Sequence, residues 1–141
     1  MRLIDVNLLL YAVVRSYPQY PAMHDWLKSA LRGPARVGLP WSSLLGFVRL
    51  TCRGGLFDQT MSVPEAWQHV EAWLDCPTVW VPVPTERHRE VLGALLTQAP
   101  SPKLVMDADL AALAIEHGLI LCSADRDFGR FSGLRWENPL A

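Results

Sequence analysis

Short apolar runs alternate with longer amphipathic segments from one end of the chain to the other, and this alternation constrains the fold more than any other feature. Runs too apolar to face water, each followed by a helix-length connection, are satisfied by a parallel sheet with helices on both faces. The runs lie at residues 2–6, 37–39, 79–83, 119–122 and 134–136, and each predicts a strand. Helical spacing of apolar residues predicts helices over 8–12, 20–31, 44–50, 66–74, 86–96 and 104–117. Gly33-Pro34, Arg53-Gly54-Gly55 and Gly118 stand where helices should stop. Pro40-Trp41-Ser42-Ser43 offers a serine to start one, and Ser62-Val63-Pro64-Glu65 has the serine and glutamate of a capping box. With no internal repeat or long linker, the expectation is an α/β fold in one domain spanning residues 1–141.

Half of the residues are hydrophobic and 19% are charged, a balance that buries a sizeable core and excludes disorder. No apolar run approaches the roughly 20 residues that cross a bilayer. Met1-Arg2-Leu3-Ile4-Asp5 places an acid where a signal peptide's apolar region would begin, so a cytoplasmic protein away from membranes is expected. Cys52, Cys76 and Cys122 form no C-x-x-C pair and read as small hydrophobes in a reducing compartment. His24, His69, His88 and His117 lack ligand spacing and read as solvated or structural; Trp67 and Trp73 share one helix, as core or dimer packing would have it. Thirteen basic residues against 14 acidic give a net charge of -1, which excludes a generic polyanion binder.

Sites on an open parallel sheet form outside the carboxyl ends of its strands. Asp5 ends the first strand, Asp107 opens the Ala-rich helix, and Asp125 and Asp127 follow the strand at 119–122. An isolated aspartate in such a place is most often a helix cap or dipole partner. If all four converge, their repulsion calls for a cation, and hard carboxylate oxygens suit Mg²⁺. Asp109 points about 200° away from Asp107 on a helix and reads as a surface or outer residue. Asn7 either caps the first helix or steadies Asp5, and Ser123 is either an ordinary turn serine or a support for a ligand carboxylate.

Taken together, these residues resemble the PIN-domain ribonucleases, and among them the VapC toxins of bacterial toxin-antitoxin pairs. The likeness rests on Leu3-Ile4-Asp5-Val6-Asn7-Leu8-Leu9, on Leu44-Leu45-Gly46-Phe47-Val48-Arg49-Leu50, on Leu104-Val105-Met106-Asp107-Ala108-Asp109-Leu110-Ala111-Ala112-Leu113-Ala114, and on Cys122-Ser123-Ala124-Asp125-Arg126-Asp127-Phe128-Gly129-Arg130-Phe131. The resemblance implies a three-layer α/β/α PIN-like fold with a central, mostly parallel sheet. It further implies metal-dependent cleavage of RNA with Mg²⁺ or Mn²⁺, catalytic Asp5, Asp107 and Asp125, Asp127 as a further ligand, and Asn7 and Ser123 as polar supports. Small structured RNA, tRNA or an rRNA loop, is the implied substrate, with 5′-phosphate and 3′-hydroxyl products. A homodimer and a VapB-type antitoxin are the implied partners.

One position departs from the pattern: members commonly carry a Glu before the Phe-x-Arg segment, and here Gly46 stands there. A catalytically weakened module acting through dimerisation and antitoxin binding is therefore the alternative expectation. Arg makes up 11 of the 13 basic residues, and Arg15, Arg49, Arg53, Arg126 and Arg130 are candidates for RNA contact. Receiver domains and haloacid-type phosphatases also place aspartates after parallel strands. They fit poorly, because Asp5-Val6-Asn7 lacks a D-x-D and neither Lys28 nor Lys103 follows a strand.

Overall fold

A computed structural model describes residues 1–54 and 60–141. Among the described residues five strands form, β1 (Arg2–Ile4), β2 (Val37–Gly38), β3 (Val79–Trp80), β4 (Ile120–Cys122) and β5 (Trp136–Glu137). They build one sheet in the order β3-β2-β1-β4-β5 with every pairing parallel. Successive side chains of a strand face opposite ways, so β1 serves two cores. Ile4, with Val37, Leu39 and Cys122, packs under α1 (Val6–Val13), α2 (Tyr20–Arg32), α3 (Trp41–Cys52) and α4 (Val63–Leu74). Leu3, with Leu119 and Leu121, packs under α5 (His88–Leu96), α6 (Val105–His117) and a 3₁₀ turn at Arg126–Arg130. The result is the expected three-layer α/β/α arrangement. Gly38 lets the layers close: a Cβ there would lie 3.0 Å from Pro82 and 3.2 Å from the Arg2 carbonyl oxygen.

From β1 the chain steps to β2 and β3 on one side, then returns to place β4 and β5 on the other. The direction of winding reverses between β1 and β4, and the crevice at their carboxyl ends is where an open sheet of this kind takes ligands.

Most helix ends follow the sequence. Gly118 caps α6 with a left-handed φ of 67°, and the Ser62 hydroxyl accepts from the Glu65 N–H at 3.2 Å. The capping box is not reciprocal, because Ser62 also donates to the Glu65 carboxylate, at 3.0 Å. The strand expected over 79–83 is only Val79–Trp80; Pro82 and Pro84 bring no N–H to a ladder. The last strand, expected over 134–136, begins two residues later and ends one later, and the expected helical position 104 belongs to a 3₁₀ turn at Pro102–Leu104. Gly55, expected among the residues that end α3, lies outside the described residues. Cys52, Cys76 and Cys122 are free, and burial pushes the Cys122 thiol up to about 12. Among the described residues no helix is long and apolar enough to cross a membrane.

Candidate active site

Asp5 is the residue between β1 and α1, and it caps the helix by accepting from the Val6 N–H at 2.8 Å. Its other carboxylate oxygen accepts from the Ser123 hydroxyl at 2.7 Å. Ser123, fully buried directly after β4, also accepts from the Asn7 side-chain amide at 3.1 Å and from the Asp125 N–H at 3.0 Å. A hydroxyl has one proton and two lone pairs, so these three bonds use all of them. The Asn7 amide oxygen accepts in turn from the Ala124 N–H at 3.4 Å. The crevice between β1 and β4 is thus sewn together by Asp5, Asn7 and Ser123.

The 3₁₀ turn beyond Ser123 begins with a cap of its own, since Asp125 accepts from the Asp127 N–H at 2.9 Å. Asp107 reaches the same place from the first turn of α6. One carboxylate oxygen each from Asp107, Asp125 and Asp127 lie within 4.8 Å of one another. Asp5 is not part of this triplet. It is tied through the Ser123 hydroxyl to the turn that carries Asp125, and its burial raises its pKa with a smaller push from Asp125. Asp107 is displaced furthest, to about 6, first by burial and then by the charges of Asp125, Asp5 and Asp127, with Lys103 opposing weakly. Among the described residues no hydrogen-bond donor reaches the Asp107 carboxyl. Hard oxygens, mutual repulsion and the shortage of donors fit a divalent cation of the Mg²⁺ kind.

Replacing Ser123 by Ala removes the donor to Asp5 and leaves Asn7 and the Asp125 N–H without their acceptor. The expected cost is about 1–3 kcal/mol in urea unfolding, the usual penalty for orphaned buried groups. Full stability in Ser123→Ala would show that water replaces the hydroxyl without loss.

The arginine candidates divide. Arg126 and Arg130 are exposed on the 3₁₀ turn itself, and Arg130 Nη2 lies 3.3 Å from Asp127. Arg15 lies beyond the far end of α1, Arg49 in the last turn of α3 and Arg53 just after it. Arg15 stacks near Tyr20 and borders a cleft of about 1000 Å³ between α1, α2 and α4. Gly46 faces α1: a Cβ there would meet Val6 Cγ2 at 3.2 Å, one residue from Asp5.

The histidines are mostly structural, as expected. His24 bonds the Ala12 carbonyl, His117 bonds the Val83 carbonyl, and His69 packs on Phe47 and Trp73. Trp73 is buried against Phe47, whereas Trp67 lies parallel to Trp41 at the surface. His88 is different. Its Nε2 lies 2.7 Å from Asp109, and its Nδ1 bonds Glu116, whose side chain is fully enclosed. Burial opposes charge on both groups, but the hydrogen bonds win, holding His88 above and Glu116 below their usual ranges. The 28-residue separation of His88 and Glu116 hid this ion pair from sequence spacing, and the only hint was Asp109 and Glu116 seven residues apart on one helical face.

Both Asp107 and His88 bind protons more tightly in the fold than in the unfolded chain. Their contribution is fully present below the unfolded values, 3.8 and 6.5, and is lost as pH rises through the folded ones, about 6 for Asp107. The melting temperature of EDTA-treated protein should fall as pH rises through about 6 and on beyond 6.5, and Mg²⁺ should reduce the part of the fall that Asp107→Asn also removes. A melting temperature that climbs over this interval would contradict the repulsion at Asp107.

A family model of the PIN domain matches residues 2–134. Ribonuclease VapC37 of Mycobacterium tuberculosis is 43% identical over 142 residues, an alignment covering 100% of this chain and 99% of that protein. The chain belongs to the VapC branch of the PIN-domain family. Ribonuclease VapC33 of the same species is 35% identical to this VapC-family chain, with 96% of each covered. Among solved structures, VapBC-1 from nontypeable Haemophilus influenzae shares the fold with a TM-score of 0.71 at 15% identity, covering 99% of this chain and 98% of that one. FitAB bound to a DNA fragment does so with a TM-score of 0.69 at 15% identity, covering 100% and 96%.

Proposed function

We propose that this VapC-family protein is the ribonuclease toxin of a VapBC-type pair, a single PIN domain that cuts structured RNA, tRNA or an rRNA loop, with the help of Mg²⁺ or Mn²⁺. The observation that carries the reading is the convergence of Asp107, Asp125 and Asp127 within 4.8 Å at the reversal point of the sheet. Those three would hold the ion, and Asp5, fixed by Ser123, would complete the negative wall behind it. Bound there, the ion supplies an activated water and stabilises charge on the phosphodiester. The chain's own contribution is placement. Ser123 and Asn7 lock the spacing between the β1 and β4 ends, and the caps at Asp5 and Asp125 fix their carboxylates. The exposed guanidinium of Arg130, 3.3 Å from Asp127, would be available to a phosphate oxygen, as would that of the exposed Arg126. Products would carry a 5′-phosphate and a 3′-hydroxyl.

The named relatives and the antitoxin complexes of the same fold support a VapB-type partner in the cytoplasm. Exposed Trp41, Leu45 and Trp67 support a homodimer. The decisive test is RNA cleavage with and without EDTA by the natural chain, Asp5→Ala and Asp107→Ala, alongside isothermal titration with Mg²⁺. Equal residual cleavage in all three proteins, or no binding at millimolar metal, would reject the enzymatic reading.

Gly46 favours a second reading, a module weakened in catalysis that acts through its partners, because α3 brings no carboxylate at that position. Gly46→Glu should lower the metal concentration for half-maximal cleavage, at some cost in stability, since Val6 must move by a few tenths of an ångström to admit the new Cβ. Unchanged metal dependence would show that Gly46 does not stand at a ligand position.

A further inference from the structure

We propose that His88 is a positioning residue for the Asp107 carboxylate, acting through Asp109. The inference rests on the reading of Asp107 as a metal ligand. His88 opens α5 and grips α6 at two points: Nε2 meets Asp109 at 2.7 Å, and Nδ1 meets Glu116. A ring with both nitrogens facing carboxylates satisfies both only as the imidazolium, so the contact is an ion pair at each end. Glu116 is itself anchored, because one of its oxygens accepts from the Thr85 N–H at 2.9 Å and from the Thr85 hydroxyl at 2.6 Å. The chain of contacts therefore runs from the backbone before α5, through Glu116 and His88, to Asp109.

Asp109 and Glu116 are seven residues apart, two turns along one face of α6. Gripping both ends of that face fixes the rotation of the helix as well as its distance from α5. Rotation is what the apolar packing of α6 controls least. Its buried residues, Ala108, Leu110, Ala111, Ala112, Leu113 and Ala114, run around the whole helix, and four of the six are alanines with no long side chain to key into a neighbour. Asp107 lies about 200° from Asp109, so the rotation that seats Asp109 on His88 turns Asp107 to the opposite side, towards Asp125 and Asp127. Metal–ligand distances tolerate only about 0.2 Å, and a small turn of the helix would exceed that.

The sign of one measurement separates this role from simpler ones. Removing the imidazolium takes a positive charge away and leaves Asp109 and Glu116 unpaired, which by charge alone should tighten cation binding. Under the proposal His88→Leu binds Mn²⁺ about tenfold more weakly, in the range found for residues that orient metal ligands. The measurement is titration calorimetry at a temperature where circular dichroism shows the variant folded. His88→Arg, which can donate to both carboxylates, should recover most of the affinity. Asp109→Asn, which keeps the fully enclosed Glu116 pair, is the second variant should His88→Leu not fold, and it too should bind Mn²⁺ more weakly while its melting temperature changes little. Unchanged or tighter Mn²⁺ binding in folded His88→Leu, or in Asp109→Asn, would overturn the proposal and leave His88 a fastener of α5. Asp107→Asn is the control: if it binds Mn²⁺ as the natural chain does, the metal-site reading itself fails, whatever the His88 variants do.

Discussion

Asp107→Asn should abolish RNA cleavage and at the same time make the metal-free protein more stable. The two effects have one cause. Burial and the charges of Asp125, Asp5 and Asp127 hold the Asp107 carboxyl at about 6, so near neutral pH the fold carries an ionised group that it disfavours. Asparagine has the same shape without the charge, and removing the repulsion should raise the melting temperature of the EDTA-treated protein. The same substitution takes an anionic oxygen from the cluster. Losing a residue that merely orients a ligand costs roughly 10- to 100-fold in metal affinity or activity, so losing a ligand should cost more than about 100-fold in cleavage. Paired measurements decide it: thermal melts in EDTA, and cleavage assays in Mg²⁺. Were Asp107 a structural partner of the α6 N-terminus, Asn would lower the melting temperature and leave cleavage intact.

Sequence positions announced the caps and strand ends because those depend on neighbours in the chain. Asp5 after an apolar run, Asp125 after another and Gly118 after a helix are each legible within a few residues, and the alternation of strands and helices carried the fold class with them. What depends on how helices lie across the sheet was not legible. Where Arg15 and Arg49 come to lie depends on the course of α1 and α3, which sets Arg15 over the Tyr20 ring and Arg49 in the last turn of α3. Four acids were candidates for one cluster; Asp107, Asp125 and Asp127 bring oxygens within 4.8 Å of one another, while Asp5 joins them through Ser123, 118 residues away. The His88 contacts depend on α5 lying against α6, which no spacing in either helix encodes. Even the charge balance changes meaning with position. Of 14 acids, Asp5, Asp107, Asp125 and Asp127 face one crevice, and a cation there would leave 10 acids against 13 basic residues over the rest of the surface.

Phe128→Ala should be among the most destabilising single changes in the chain, and it should weaken metal binding beyond what instability explains. Phe128 is fully buried in the core under α5 and α6, with its ring 6.4 Å from that of Phe131. Truncating a buried phenylalanine costs about 3–5 kcal/mol, a large share of the roughly 5–15 kcal/mol by which domains are stable. For a chain of this length that corresponds to a fall of about 10 °C or more in melting temperature. The ring is also the anchor of the 3₁₀ turn at Arg126–Arg130, whose preceding residue caps it through the Asp127 N–H. Pulling that anchor frees Asp125 and Asp127 together. Met23→Ala supplies the comparison, since Met23 is equally buried in α2, in the core on the other face of the sheet from Phe128. Its expected cost is about 2–5 kcal/mol. At a temperature where both variants are folded, Mn²⁺ titration should show weaker binding in Phe128→Ala and natural affinity in Met23→Ala. Equal affinities would mean that the turn holds its carboxylates through its own hydrogen bonds, with Phe128 contributing to the core alone.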